Sequence, residues 1–178
     1  VGYLSGDFAI YPKMTGANYL SYMGELQPPA SKQYVQELIK RLKAEPAKRM
    51  GDLSRGNRQK FGIIQAFMHK PDILILDEPT SGLDPLMQEE FYKLVVEAKE
   101  RGAAVFMSSH IMSEIQKMCD RVGIIRDGKL VDEKTIADMA TQASQTFDIT
   151  FNGKVPIAEL KKIKSARVVE GKDSSVTI

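Results

Sequence analysis

Tryptophan is missing, cysteine occurs once and histidine twice in this chain of 178 residues. The single thiol, Cys119, excludes an internal disulfide framework and fits a reducing compartment; a small buried hydrophobe is its ordinary role. Long apolar runs are also missing. The longest strongly aliphatic stretch is Ile73-Leu74-Ile75-Leu76, far short of the roughly 18 residues of a membrane span. Charge of one sign is lacking too: a net +2 is too small to imply nucleic acid or an anionic membrane. No internal repeat or biased tract is present. The chain opens at Val1 without a charged-then-apolar leader, so no secretory signal is visible, and a start in mid-pattern leads us to expect a fragment. What remains is globular in texture, with 43% hydrophobic and 27% charged residues. The length suits one domain, or one plus a small appendage.

Breakers and periodicity divide the chain. Val1–Leu4 reads as the end of a strand and 5–12 as a loop. Thr15 is a good N-cap for a helix to about Leu26, and Ser31 caps a second, in which Val35, Leu38, Ile39 and Leu42 recur at helical spacing. Another helix starts near Ser54 or Gly56 and stops before Pro71. Ile73–Leu76 then reads as a strand buried on both faces of a parallel sheet. Asp84-Pro85 opens a helix that Gly102 ends, Ala103–Met107 is the next strand, and a helix covers 112–119. Strand and helix alternating in this way predict an α/β fold with a mainly parallel sheet. Asp127-Gly128 signals a hairpin between 122–125 and 129–131, and a short helix covers about 135–140. From Thr141 the texture becomes that of a small α+β extension: strands at 147–151, 166–170 and 174–178, and a helix at 156–163.

The stretch that carries chemistry is Ile73-Leu74-Ile75-Leu76-Asp77-Glu78-Pro79-Thr80. It reads as a buried strand delivering two acids to its carboxyl end, the edge where open α/β sheets bind ligands. Asp77 is placed to hold a hydrated Mg²⁺, and Glu78 to take a proton from an attacking water. Upstream, Leu53-Ser54-Arg55-Gly56 combines a hydroxyl, a glycine that permits close backbone approach and a helix N-terminus, a set suited to an anion. Downstream come the tight turn Ser81-Gly82-Leu83-Asp84 and then Ser108-Ser109-His110 at the end of the next strand. Each feature alone has an ordinary explanation: wet strand ends, helix caps, a surface histidine. Between Ser31 and Lys70, ten Lys/Arg face three Asp/Glu. Arg55 and Arg58 could help an anion site, and the rest read as a solvated helical face.

In this order and spacing, Gly2-Tyr3-Leu4, Leu53-Ser54-Arg55-Gly56, the run from Leu76 to Pro85, and Ser108-Ser109-His110 resemble the ATP-binding subunit of an ABC transporter. The resemblance covers about 1–140. It implies a P-loop nucleoside-triphosphatase domain there, with a helical subdomain at about 12–56 that meets a membrane permease and part of the catalytic core at about 57–140, followed by the extension at 141–178. By resemblance, Ser54, Arg55, Gly56 and Asn57 form the signature motif, which contacts the γ-phosphate of an ATP held by a second ATPase subunit. Asp77 holds Mg²⁺, Glu78 is the catalytic base, Asp84 is the aspartate that communicates across the dimer, and His110 is the switch histidine on the γ-phosphate.

Three departures stand out. Arg55 replaces the usual glycine of the signature, as in a subset of the family, and Asn57 replaces glutamine. Gly6 stands where the family usually has a glutamine that senses Mg²⁺ and water, with Asp7 beside it as a substitute. The phosphate cradle Gly-x-x-x-x-Gly-Lys-Ser/Thr is absent: the Gly-Lys pairs at 128, 153 and 171 are followed by Leu130, Val155 and Asp173. The family carries that loop before the position of Val1, so on the order of 80 preceding residues are expected. The resemblance thus implies an ATP- and Mg²⁺-dependent subunit powering transport, with an exporter-like texture, peripheral at the cytoplasmic face of the cell membrane and with no nucleic-acid partner. A soluble ATPase of the same superfamily acting on ribosomes or DNA, or a non-catalytic regulatory subunit, are the alternatives.

Overall fold

A computed structural model describes residues 1–6, 11–26, 30–142, 148–152, 160, 170–172 and 175–177. They form two compact units, Val1–Asp120 and Arg121–Ile178. Three parallel strands organise the first: β1 (Gly2–Leu4), β2 (Ile73–Asp77) and β3 (Ala104–Ser108), in that spatial order. Parallel neighbours need long crossovers. Helices α1 (Gly16–Glu25), α2 (Lys32–Arg41) and α3 (Arg55–Phe67) therefore lie between β1 and β2, and α4 (Pro85–Glu100) between β2 and β3; α5 (Met112–Met118) follows. Local chemistry sets the helix starts. The side chains of Thr15, Ser31, Ser54 and Asp84 accept hydrogen bonds from the amides of Asn18, Tyr34, Asn57 and Met87 at 3.2, 3.4, 3.3 and 3.0 Å. Such caps are each worth about 1 kcal/mol. Gly102, at φ +89°, ends α4 in a conformation that costs glycine little.

The core lies on one face of the sheet, where Leu4, Leu74 and Leu76 are buried with Phe61, Ile63, Ile64 and Phe67 of α3 and Phe91 and Leu94 of α4. Phe67 and Phe91 meet edge to face at 6.2 Å. Among the described residues of this unit, nothing covers the opposite face. Tyr3, Ile75 and Phe106 are in register across the three strands, and Phe106 is 72% exposed. The expectation of a doubly buried β2 is corrected accordingly: Leu74 and Leu76 are covered, while Ile73 and Ile75 are exposed. Four consecutive aliphatics fit a two-sided burial, but only one side is covered among the described residues.

In the second unit, β4 (Arg121–Arg126) and β5 (Lys129–Thr135) form an antiparallel hairpin, followed by α6 (Ile136–Gln142). Asp127 and Gly128 both take positive φ at its turn, as the two-residue loop requires. The strands run longer than expected and carry a register shift between Ile124 and Ile125. Strands β6 (Asp148–Thr150), β7 (Glu170–Lys172) and β8 (Ser175–Thr177) form an antiparallel sheet with β8 in the middle. Gly171 lies within β7, opposite Val176, and not between two strands. The expected helix at 156–163, apart from residue 160, and the expected strand at 166–169 lie outside the described residues.

One polar cluster ties the helical block to α4. The Arg41 guanidinium forks onto Glu97 at 2.7 and 2.8 Å and donates Nε to Glu90 at 2.6 Å. These planar bidentate contacts are the strong form of ion pair. Hydrogen bonding to Arg41 holds the Glu97 carboxyl below its usual range. For Glu90, burial acts upward but is outweighed by the bonds from Arg41 and Lys93. Depressed carboxyl pKa values contribute stability above the unfolded value, near 4.5, which is lost as pH falls through the lower folded values. Arg41→Ala is expected to cost about 1–3 kcal/mol at neutral pH, and less in acid. Urea unfolding of both proteins at about pH 7 and about pH 4 checks this; an equal cost at both would show that packing of the arginine stem dominates.

Candidate active site

β2 delivers Asp77 and Glu78 to the carboxyl edge of the sheet, and the chain turns sharply there. Glu78 has φ +46°, a left-handed backbone that costs a residue with a Cβ about 1–3 kcal/mol. Neighbours hold it in place. Its amide donates to Ser108 Oγ at 3.0 Å, and its carbonyl accepts from Gln59 Nε2 at 3.3 Å. Gln59, buried on α3, also donates to the Pro79 carbonyl at 3.0 Å. Ser108, opposite Asp77 in the β2–β3 register, donates its hydroxyl to Asp77 Oδ1 at 2.5 Å. A single hydroxyl at the end of β3 thus engages both acidic residues.

Two residues beyond β3, His110 brings Nδ1 to 2.9 Å from both carboxylate oxygens of Glu78. The hydrogen bond to Glu78, and then its charge, push the His110 pKa up. The charged contact is therefore present at lower pH and lost as pH rises through the raised folded value. Glu78 is partly buried and His110 exposed, so the pair stands at the rim of the sheet, where solvent and a ligand can reach it.

Asp77 Oδ2 accepts from the Gly6 amide at 3.3 Å. A Cβ at Gly6 would lie 3.0 Å from that oxygen, so the absence of a side chain lets the β1 loop approach the carboxylate by its backbone. Asp7 lies outside the described residues. No group of three or more His, Cys, Asp or Glu suited to a metal occurs among the described residues. That donor set still fits Mg²⁺ of the phosphate-sharing kind, which asks the protein for one or two carboxylates and takes water and phosphate oxygens for the rest. The exposed Asp77 carboxylate supplies one.

The second cluster sits at the start of α3. Ser54 Oγ caps the helix, as its bland role predicted. Gly56 does need its hydrogen, but the close neighbour is protein: a Cβ there would meet the Gly82 carbonyl oxygen at 2.1 Å. Gly82 has φ +77°, so two glycines permit backbone contact between Ser54-Arg55-Gly56-Asn57 and the turn at 81–84. Asp84 caps α4 through Oδ1. Sequence reasoning singled out every residue of these two clusters except Gln59, gave Ser108 no role, and passed over Glu114. That buried carboxylate on α5 accepts from Thr80 Oγ1 at 2.9 Å and Ser109 Oγ at 2.8 Å. Nothing in the local pattern signals Gln59 or Glu114, because Gln59 bonds Glu78 and Pro79 about 20 residues on and Glu114 joins nearby Ser109 to Thr80, 34 residues back.

Known proteins share both sequence and fold with this chain. Residues 25–115 match the protein-family profile described as "AAA domain, putative AbiEii toxin, Type IV TA system". An ABC transporter ATP-binding protein of Alkalihalophilus pseudofirmus is 31% identical over 183 aligned positions, covering 100% of this chain and 68% of the relative. The bacitracin transport ATP-binding protein of Bacillus licheniformis is 50% identical over 93 residues, 52% of this chain and 30% of its own. Among solved structures, the dimeric MJ0796 cassette of a bacterial ABC transporter superposes with a TM-score of 0.67 at 21% identity, over 76% of this chain and 62% of that one, a likeness of fold. The chain spans only part of each of these proteins. With the α/β P-loop ATPase fold and a relative 31% identical that is matched over the whole of this chain and 68% of its own length, the chain belongs to the family of ABC transporter ATP-binding proteins.

Proposed function

We propose that this chain is the distal part of an ATP-hydrolysing subunit that powers transport across the cell membrane, in the export direction. The observation that carries the reading is the contact of His110 with Glu78 beside Asp77 at one sheet edge. In this reading the family domain covers 1–140, with its helical subdomain at about 12–56 and core at about 57–140, and 141–178 is an extension. Glu78 takes the proton of the attacking water, and His110 orients that carboxylate and reaches the γ-phosphate. Asp77 would hold Mg²⁺, and the ion would supply positive charge to the phosphate oxygens. Phosphoryl transfer asks for this kind of positioning and charge stabilisation more than for covalent chemistry. The local identity to a bacitracin transport protein supports transport as the coupled work.

Ser54, Arg55, Gly56 and Asn57 would face an ATP held by a second ATPase subunit, with Asp84 beside the same interface. Support comes from the backbone contact of Gly56 with Gly82, which sets both segments side by side, and from a dimeric cassette among the similar folds. A permease subunit would dock on the helical subdomain and keep the protein at the cytoplasmic face. No described helix is long and apolar enough to cross a membrane. The phosphate-gripping loop would come from residues outside this chain.

In the intact subunit, Glu78→Gln is expected to lower turnover about 10²–10⁴-fold while ATP still binds, since shape is kept and the base is lost. Turnover within a few-fold of wild type would remove Glu78 from that role. Ser54→Arg should leave nucleotide binding by the single subunit intact and block ATP-induced dimerisation, read by light scattering; Ser54→Ala controls for the lost cap, worth about 1 kcal/mol. Lost binding in the single subunit would mean that the phosphate is held in cis. These 178 residues alone should show no hydrolysis and negligible affinity for ATP–Mg²⁺ in a calorimetric titration, because the loop that grips a triphosphate is not among them. Micromolar affinity would mean that the nucleotide site is misplaced.

A further inference from the structure

We propose that Glu114 is a positioning residue for hydrolysis: its buried carboxylate binds the loops after β2 and β3 together and so fixes Glu78 against His110. Glu114 sits in the first turn of α5 and is 3% exposed. One oxygen, Oε2, accepts from both Thr80 Oγ1 and Ser109 Oγ. Thr80 follows Glu78 by two residues in the β2 loop, and Ser109 directly precedes His110 in the β3 loop. The two hydroxyls therefore bring to one carboxylate the segments whose functional side chains meet 2.9 Å apart. Ser109 Oγ also accepts from the Ile111 amide at 3.1 Å, which fixes the hydroxyl that faces Glu114.

Energetics separate this role from simple stabilisation. No ion pair involves Glu114 among the described residues; Lys117, on the same helix, bonds Glu89 and lies over the Tyr92 ring. A buried carboxylate held by neutral donors is costly, and an apolar side chain of similar volume would stabilise at least as well. What an apolar side chain could not supply is two directed bonds to two loops. The left-handed turn at Glu78 needs such ties, since its strained backbone persists only where neighbours over-determine it. Gln59 and Ser108 hold the backbone of that turn; Glu114 holds the segment that follows it and, through Ser109, the histidine.

The proposal rests on the hydrolytic reading for its functional half only, because the His110–Glu78 geometry can be measured without nucleotide. In the intact subunit, the His110 ring is titrated by NMR, with Glu78→Gln marking the midpoint when the contact is absent. Glu114→Gln, which keeps the shape and an acceptor oxygen, should lower the midpoint only by the small share that the Glu114 charge itself contributes, and Glu114→Ala should bring it further down, to that mark. Should Glu114→Ala fail to fold, Thr80→Val cuts one tie and leaves the carboxylate in place; it should lower the midpoint part of the way. ATP turnover gives the second readout: kcat lower by about 10–10²-fold in Glu114→Ala at unchanged ATP affinity, the loss that misplacement by about 1 Å produces. A folded Glu114→Ala protein whose His110 midpoint is no lower than that of Glu114→Gln, or a folded Thr80→Val protein with the wild-type midpoint, would overturn the proposal. A wild-type protein that hydrolyses no ATP would instead defeat the proposed function, and the titration would still decide the role of Glu114.

Discussion

The left-handed backbone at Glu78 is the constraint around which the sheet edge is built. A strand cannot present two consecutive acids on one side, because successive side chains alternate between faces. The turn at Glu78 breaks that alternation, so Asp77 and Glu78 both engage the end of β3. The cost is met by convergence: a serine from β3, a glutamine from α3 and a carboxylate from α5 each bond this turn or the segment beside it. The site is thus tied to three elements that are distant in sequence, and its geometry depends on the packed core beneath it.

The same economy governs the start of α3. Ser54, Gly56 and Asp84 first serve structure: two cap helices, and one admits a neighbouring backbone. Structural and functional roles are not exclusive at these positions. A helix N-terminus that is well capped keeps its remaining amides aligned, and aligned amides are what an anion recognises.

Much of this was legible in the sequence because it is local. Thr15, Ser31, Ser54 and Asp84 start helices where their side chains can reach the amide three residues on, and Gly102 and Asp127-Gly128 mark positive φ. The order of the motifs gave the family. What could not be read depends on partners far along the chain. Thr80 and Glu114 lie 34 residues apart, and Gly6 and Asp77 lie 71 apart. For the same reason the pattern of β2 did not tell which side would be covered, since aliphatic composition states a capacity for burial and not its occupant. The expected strands at 166–170 and 174–178 leave Gly171 between them, since glycine marks turns more often than strand interiors, whereas it lies inside β7.

The register of β1 has a consequence for how the first unit folds. Gly2 pairs with Leu74 and Leu4 with Leu76, across the whole helical block. Loop-closure entropy grows only slowly with length, but it must be overcome before the distant pairing contributes anything. Helices α1 to α3 carry their own caps and short-range contacts, so they can collapse early and shorten the effective separation of the strand ends. On this argument β2–β3, closed over one helix, is expected to form before the β1–β2 ladder. Folding rate in this unit should accordingly be more sensitive to the helix caps than to the three residues of β1.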